Sequence, residues 1–516
     1  MFLYFKYNKI MFTEKIKILF LLVFALSIFS GCAKNPVSGM PDFVTITEQQ
    51  EINMGASYHG KILKGNKVVK NQELNNYFKS LGETIAKNSH RPELNWKFTL
   101  IDSPEFNAFA TPGGYVYFFR GILPYFNSEE ELVGVLGHEI GHITARHAVR
   151  GMSTAQLTNI LIGIVASRVP GSQITDNAFN LLNMAINSGY SRRYELEADQ
   201  LGKEYLLESG YNPFAMKAFL QVMQNRDNLE KKIAEYEGRD PIVGYHGIFS
   251  SHPDTEKRIA KVMSEEKFKK VLKKSKNKEK FLKIIDGLVY GSSPEEGYIK
   301  NNTFYHSDLA IKFSFDDSWK LQNNPNKIIL TKEESKNSDF KTLLIISLDE
   351  LLKDDLENGL TPKIFLNDGI DKTSFLERNE LLEDLQFNHH GLIGHTMLYK
   401  SSSAFNNRYK RFTAIFDVKE QNLKPKVWIF VSHSPDLKGD ASSKVILETF
   451  SKMSEEEVKN SKGLRIKVIR FRKDMSYESL AKQSPLGKFA VDKLRLLNGH
   501  YPNKNPKVGD LIKIVQ

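Results

Sequence analysis

At 516 residues, 41% hydrophobic and 26% charged, the chain is too long for one ordinary domain and too apolar for a disordered one. Its formal charge of +11 is spread along a Lys-rich sequence, and no basic and aromatic motif of the nucleic-acid-binding kind is present, so no nucleic-acid partner is expected. A single cysteine excludes an internal disulfide, which leaves stability to packed cores.

The N-terminus opens with a basic segment ending at Lys17, followed by "ILFLLVFALSIFSGC". The apolar run from Ile18 to Phe29 is short for a helix crossing a bilayer, which needs about 20 residues. It suits the apolar core of a signal peptide, so residues 1–31 are expected to be removed. The ending "FSGC" resembles a bacterial lipobox, with Phe29 where Leu is usual. That resemblance implies lipid attachment at Cys32 and membrane contact through the lipid. Ala33 after it favours an outer-membrane site facing the periplasm.

From Glu48 to His90 the apolar spacing is helical. "WKFTLIDS" alternates like a strand, and "NAFATPGGYVYFFRG" reads as a hairpin turning at Pro112-Gly113-Gly114. Ser128 is a candidate N-cap, with Glu131 as its capping-box partner, for a helix from about Glu129 to Arg150. "TAQLTNILIGIVASRV" reads as a buried or groove-lining helix, and a further helix runs from roughly Asp176 past Gly202. Residues 266–299 form a Lys-rich helix or linker. Residues 300–455 are strand-rich with a closing helix, an α+β domain with an antiparallel sheet whose role the sequence does not disclose. Residues 463–516 read strand, helix, helix, strand, and no tandem repeat of tetratricopeptide type is found.

The stretch "VLGHEIGHITARH" carries the chemistry. Residues four apart on a helix differ by about 40° around its axis, so His138 and His142 can aim at one point, with Glu139 beside it. This is H-E-x-x-H, the arrangement of zinc metallopeptidases. Catalytic zinc takes three protein ligands and leaves one position open. On a continuous helix His147 would lie about 180° from His138, which reads as a structural or surface histidine. Ala145 and Ala148 stand where a metzincin needs Gly and a third His. The better third ligand is Glu195 in "YSRRYELEADQLG". Asp199, one turn on, can accept a hydrogen bond from the far nitrogen of a ligating His. Glu197 is expected to point elsewhere, into solvent.

Together "NAFATPGGYVY", "GHEIGHITARH", "SRRYELEAD" and "SSHPDTEKRI" resemble the HtpX and CAAX-prenyl-protease family of zinc endopeptidases, in its soluble, periplasmic, BepA- and LoiP-like lipoprotein branch. The resemblance spans about Glu48 to Met263. It implies Zn2+ bound by His138, His142 and Glu195, with Glu139 as catalytic base and Asp199 as a supporting or proton-carrying residue. It also implies that His252 can act as a fourth ligand or switch, with His246 as a nearby competitor. Arg193, Tyr190 and His246 remain alternatives for oxyanion stabilisation. The 463–516 segment resembles a LysM module, which implies a glycan partner of peptidoglycan type.

The expected fold is α+β and multidomain. A mainly helical gluzincin-type protease domain with a small antiparallel sheet covers 32–265. The Lys-rich linker, the antiparallel-sheet domain and a LysM-like βααβ module follow. The expected function is a zinc-dependent endopeptidase of the cell envelope, acting on unfolded or misassembled proteins. The alternative is a cell-wall-binding lipoprotein with a structural or inactive metal site.

Overall fold

A computed structural model describes residues 32–155, 190–241, 258, 277–324, 326–333, 341–369, 379–401, 409–418 and 424–516. Its contacts divide the chain into two compact units, one running to Tyr290 and rejoined by Arg465–Gln516, the other Gly291–Leu464. The expected signal peptide, most of the Lys-rich segment, the apolar stretch after Thr154, His246 and His252 lie outside the described residues.

In the first unit, β1 (Cys32–Lys34) and β2 (Pro41–Phe43) pair antiparallel, placing Cys32 opposite Phe43. Helix α1 (Glu48–Gly65) starts at a capping box on Thr47, and α2 (Gln72–Lys87) starts at Asn71, whose side chain accepts from the Leu74 N–H. A three-stranded sheet follows, of β3 (Lys97–Ile101), β4 (Ala108–Thr111) and β5 (Tyr115–Phe119), in the order β3-β5-β4. The hairpin is antiparallel as its sequence implies, but β3 runs parallel to β5. This sheet is therefore mixed rather than antiparallel, because β3 pairs with the second strand of the hairpin and not with the first, which follows it in sequence. Strand β5 is buried on both faces. Val116 and Phe118 join the main core, while Tyr115, Tyr117 and Phe119 pack in a second cluster with Ile101.

A 3-10 turn (Arg120–Tyr125) leads into α3 (Glu129–Thr144), which is buried along almost its whole length. The Ser128 hydroxyl accepts from the Glu131 N–H at 3.3 Å, but the Glu131 carboxylate turns to the Asn127 N–H at 2.8 Å. The helix does not run to Arg150. It stops at Ala145, Arg146 takes a left-handed conformation (φ 55°), and helical backbone resumes over residues 147–155. The break is held by distant partners: the Arg146 guanidinium donates to Glu51 at 2.7 Å and to the Ile46 carbonyl at 3.0 Å. Helices α4 (Arg192–Glu208), α5 (Ala215–Glu237) and α6 (Lys278–Ile285) complete the helical layer, followed by the short strand β6 (Val289–Tyr290).

Residues 465–516 close onto this same unit. Strands β7 (Leu464–Arg470) and β8 (Leu511–Val515) enclose α7 (Tyr477–Lys482) and α8 (Ala490–Leu497) in sequence, and the sheet order is β8-β7-β6. Leu496 packs with Val222 and Leu229 of α5. The fully buried Lys513 ammonium donates to the carbonyls of Pro124 at 2.7 Å and Phe126 at 2.5 Å, just ahead of α3.

The second unit holds a seven-stranded antiparallel sheet. Its order is Trp319–Asn324, Lys327–Glu333, Lys341–Glu350, Lys426–Ser434, Tyr409–Asp417, Leu392–Ser401 and Asn379–His389. The expected closing helix forms as Leu437–Thr449, capped by Asp436, and Ile446 and Leu447 join the core beneath the sheet.

Candidate metal centre

Helix α3 carries His138 and His142 one turn apart, and α4 brings Glu195 to face them. The two helices approach closely because small residues line the contact. A Cβ built on Gly137 would sit 3.2 Å from the Gly202 carbonyl oxygen, and one on Gly141 2.9 Å from that of Ala198. The resulting geometry is compact. The two imidazole Nε2 atoms lie 3.0 Å apart, with Glu195 Oε2 3.5 Å from His138 Nε2 and Oε1 3.4 Å from His142 Nε2. All three residues are buried, and together they could hold a metal ion. Tetrahedral zinc with bonds of 2.0–2.2 Å would separate neighbouring ligand atoms by about 3.4 Å, so the donor set fits.

Residues 72–266 match the family model of Peptidase family M48. This stretch is an M48 peptidase domain. A beta-barrel assembly-enhancing protease of Escherichia coli (strain K12) is 28% identical over 226 residues, covering 42% of this chain and 44% of that relative. The one of Yersinia pestis is 30% identical over 211 residues, covering 39% and 43%. The mitochondrial metalloendopeptidase OMA1 of Saccharomyces cerevisiae is 27% identical over 254 residues, covering 45% and 70%. This chain thus spans less than half the length of the two bacterial relatives.

Around the cluster, the M48 domain gives each imidazole a partner for its far nitrogen. His138 Nδ1 lies 2.9 Å from Asp199 Oδ1. Sequence reasoning did not single out what holds Asp199: the fully buried Arg258 donates to Asp199 Oδ1 at 2.7 Å and Oδ2 at 2.8 Å, and lies 2.9 Å from Glu195 Oε2. Arg258 sits inside the quoted "SSHPDTEKRI", where attention goes to the histidine. An arginine in a stretch shared with a metal-site family was the available signal.

These contacts set the electrostatics. Burial and then Arg258 push the His138 pKa down, but the Asp199 and Glu195 carboxylates outweigh them and hold it at about 9. Burial opposes ionisation of Asp199, yet Arg258 and His138 hold its carboxyl well below the usual range. His142 is pushed well below the ordinary histidine value, by burial first. Glu139 is fully buried, and its charge is felt at Arg258 and at Tyr190, which places it beside the cluster. Burial pushes the Tyr190 phenol upward, so it keeps its proton, and its ring stacks on His142 at 4.1 Å. Arg193 is exposed on the first turn of α4.

Two sequence expectations fail here, for one reason. His147 does not point away and is not at the surface: the break at Arg146 turns it back, and it lies fully buried with Nδ1 2.8 Å from His142 Nδ1. Glu197 is not simply solvated, because His147 Nε2 lies 3.3 Å from it and Arg150 3.1 Å. The His147 reading assumed an unbroken helix; Glu197 turns away from Glu195 and Asp199 as read, but the segment after Arg146 brings His147 and Arg150 to it.

Proposed function

We propose that this chain is a zinc-dependent endopeptidase of the cell envelope that cleaves unfolded or misassembled proteins. The observation that carries the reading is the buried meeting of His138, His142 and Glu195 from two helices, in an M48 domain, at separations suited to tetrahedral zinc. Zinc bound there would supply Lewis acidity toward water and a peptide carbonyl. Glu139 takes a proton from the attacking water and returns it to the leaving amine. Asp199, clamped by Arg258, holds the His138 ring in one orientation and one tautomer. Tyr190, kept protonated beside His142, is the donor offered to the developing oxyanion.

Among the described residues strand β4 lies at the edge of its sheet, and a cavity of about 10 Å3, room for a water-sized group, lies between Ala110, Thr111 and Pro112 at its end and His142 and Tyr190. An extended substrate pairing with β4 as an added strand would pass the cluster, which suits unfolded chains without tight sequence preference. The envelope setting rests on the lipobox-like "FSGC" and on the names of the bacterial relatives. No helix among the described residues is long and apolar enough to cross a membrane; the proposed anchor, lipid on Cys32, rests on the lipobox-like sequence.

The test is cleavage of casein by the purified chain, with and without a chelator and zinc re-addition, alongside Glu139→Gln. Wild-type cleavage should need the metal, and the variant should bind zinc yet be inactive. An active Glu139→Gln enzyme would falsify the assigned base.

A further inference from the structure

We propose that His147, backed by Glu197, is the positioning residue for His142, a counterpart to the Asp199 that positions His138. The inference rests on the zinc reading above and adds to it. If His142 offers Nε2 to the metal, as its 3.4 Å approach to Glu195 Oε1 implies, its Nδ1 carries the proton. That N–H then donates to His147 Nδ1 at 2.8 Å. His147 then carries its own proton on Nε2, which lies 3.3 Å from Glu197 Oε2, an electrostatic contact rather than a formed hydrogen bond. A neutral imidazole has one donor and one acceptor, so this tautomer lets His147 accept from His142 and turns its own N–H toward the Glu197 charge.

The arrangement is built rather than incidental. His147 reaches His142 because the backbone turns left-handed at Arg146, and that turn is held by Glu51 and the Ile46 carbonyl. The His147 ring is fixed by stacking on Tyr194 at 4.4 Å and 13° between planes. Glu197 is fixed by Arg150, which also lies 3.2 Å from Asp42 Oδ2 and sits over the Tyr194 ring at 4.7 Å. The line of support therefore runs from β2, ten residues after Cys32, to the second histidine of the cluster. An uncharged imidazole is a weaker acceptor than a carboxylate, and Glu197 behind it polarises it toward the strength that Asp199 has directly.

The experiment measures Zn2+ affinity by competition with a chromophoric chelator, together with melting of the metal-free protein, in His147→Phe, His147→Gln and Glu197→Ala. Phe keeps the stack on Tyr194 but cannot accept a hydrogen bond. Gln can accept from His142 and donate to Glu197. His147→Phe should weaken zinc binding about 10–100-fold, the usual cost of losing an outer partner, with metal-free melting little changed. His147→Gln should recover most of that loss, and Glu197→Ala should weaken binding several-fold. Wild-type affinity in His147→Phe, or a Gln variant no better than Phe, would overturn the proposal. If His147→Phe does not fold, wild-type affinity in Glu197→Ala overturns it alone. A wild-type chain that binds no zinc would instead remove the metal reading beneath it.

Discussion

Gly141→Ala and Gly202→Ala should weaken metal binding clearly while costing the fold little. A Cβ on Gly141 meets the Ala198 carbonyl oxygen at 2.9 Å and its Cα at 3.2 Å, and one on Gly202 meets His138 N at 3.0 Å. Non-bonded carbon contacts are comfortable at about 3.5 Å, so α3 and α4 must part by about 0.5 Å. The obstacles are backbone atoms, which cannot swing aside as a side chain can. Two opposing effects act on stability: overpacking costs about 1–3 kcal/mol, while alanine in place of glycine gains about 1 kcal/mol within a helix. The net loss is therefore modest, about 0–2 kcal/mol. Metal coordination is less forgiving, with a tolerance of about 0.2 Å in ligand distance. His138 and His142 ride on one helix and Glu195 on the other, so any parting falls on the ligand set. Zinc affinity should drop at least about tenfold, a loss of about 1.4 kcal/mol. Chelator competition and melting curves with and without zinc read both quantities. Gly151→Ala is the control, because its Cβ meets nothing within 4 Å among the described residues. It should bind zinc normally and melt slightly higher. Wild-type zinc affinity in both α3–α4 variants would refute the idea that glycines set the ligand spacing.

Arg258→Met should leave the Asp199 and Glu195 carboxylates buried without their cation, at a cost of about 3–5 kcal/mol. Zinc replaces part of the lost positive charge, so the melting temperature should rise more on zinc addition than in the wild type, and an equal rise would count against this account. Leu496→Ala, at a side chain only 4% exposed against α5, should cost about 2–5 kcal/mol. The zinc-dependent melting transition should move with it. A transition that stays put would mean that residues 465–516 fold apart from the M48 domain. Lys513 predicts a pH dependence. Burial lowers its pKa to about 7, so between that pH and the free-lysine range the unfolded chain holds a proton that the folded chain has released, while below it the folded group is an ammonium. Stability from this group is therefore present in full above the free-lysine range, about 10.4, and falls away as pH drops toward neutrality. Lys513→Met should flatten that slope in denaturant melts taken from neutral pH upward, and an unchanged slope would reject the assignment.

What the sequence made legible is what a single helix or hairpin decides locally. H-E-x-x-H places two imidazoles on one face whatever surrounds it, E-x-x-x-D does the same for Glu195 and Asp199, and Pro-Gly-Gly marks the β4–β5 turn. The strand, helix, helix, strand order of the C-terminal segment was readable for the same reason. The helix break at Arg146 was not, because no glycine or proline encodes it. It comes from Glu51 and Ile46, far away in the chain, and from that break follow both errors about His147 and Glu197.

Lys513 shows the same limit from another side. "LIKIV" reads as a strand in which Lys513 is the one polar residue, sharing a face with Leu511 and Val515, and nothing in it says that this lysine is fully buried. The Pro124 and Phe126 carbonyls at the entry to α3 need donors, and the last strand brings an ammonium to both. The Glu131 carboxyl nearby is held above the usual range by burial, while Lys513 and the Asn127 N–H pull against that rise. A charge so placed is costly to bury unless it is hydrogen-bonded and paired, which the two carbonyls and the nearby Glu131 carboxyl provide. Its position fixes the first turn of the helix that carries His138, Glu139 and His142, which ties the C-terminal residues to the metal helix itself.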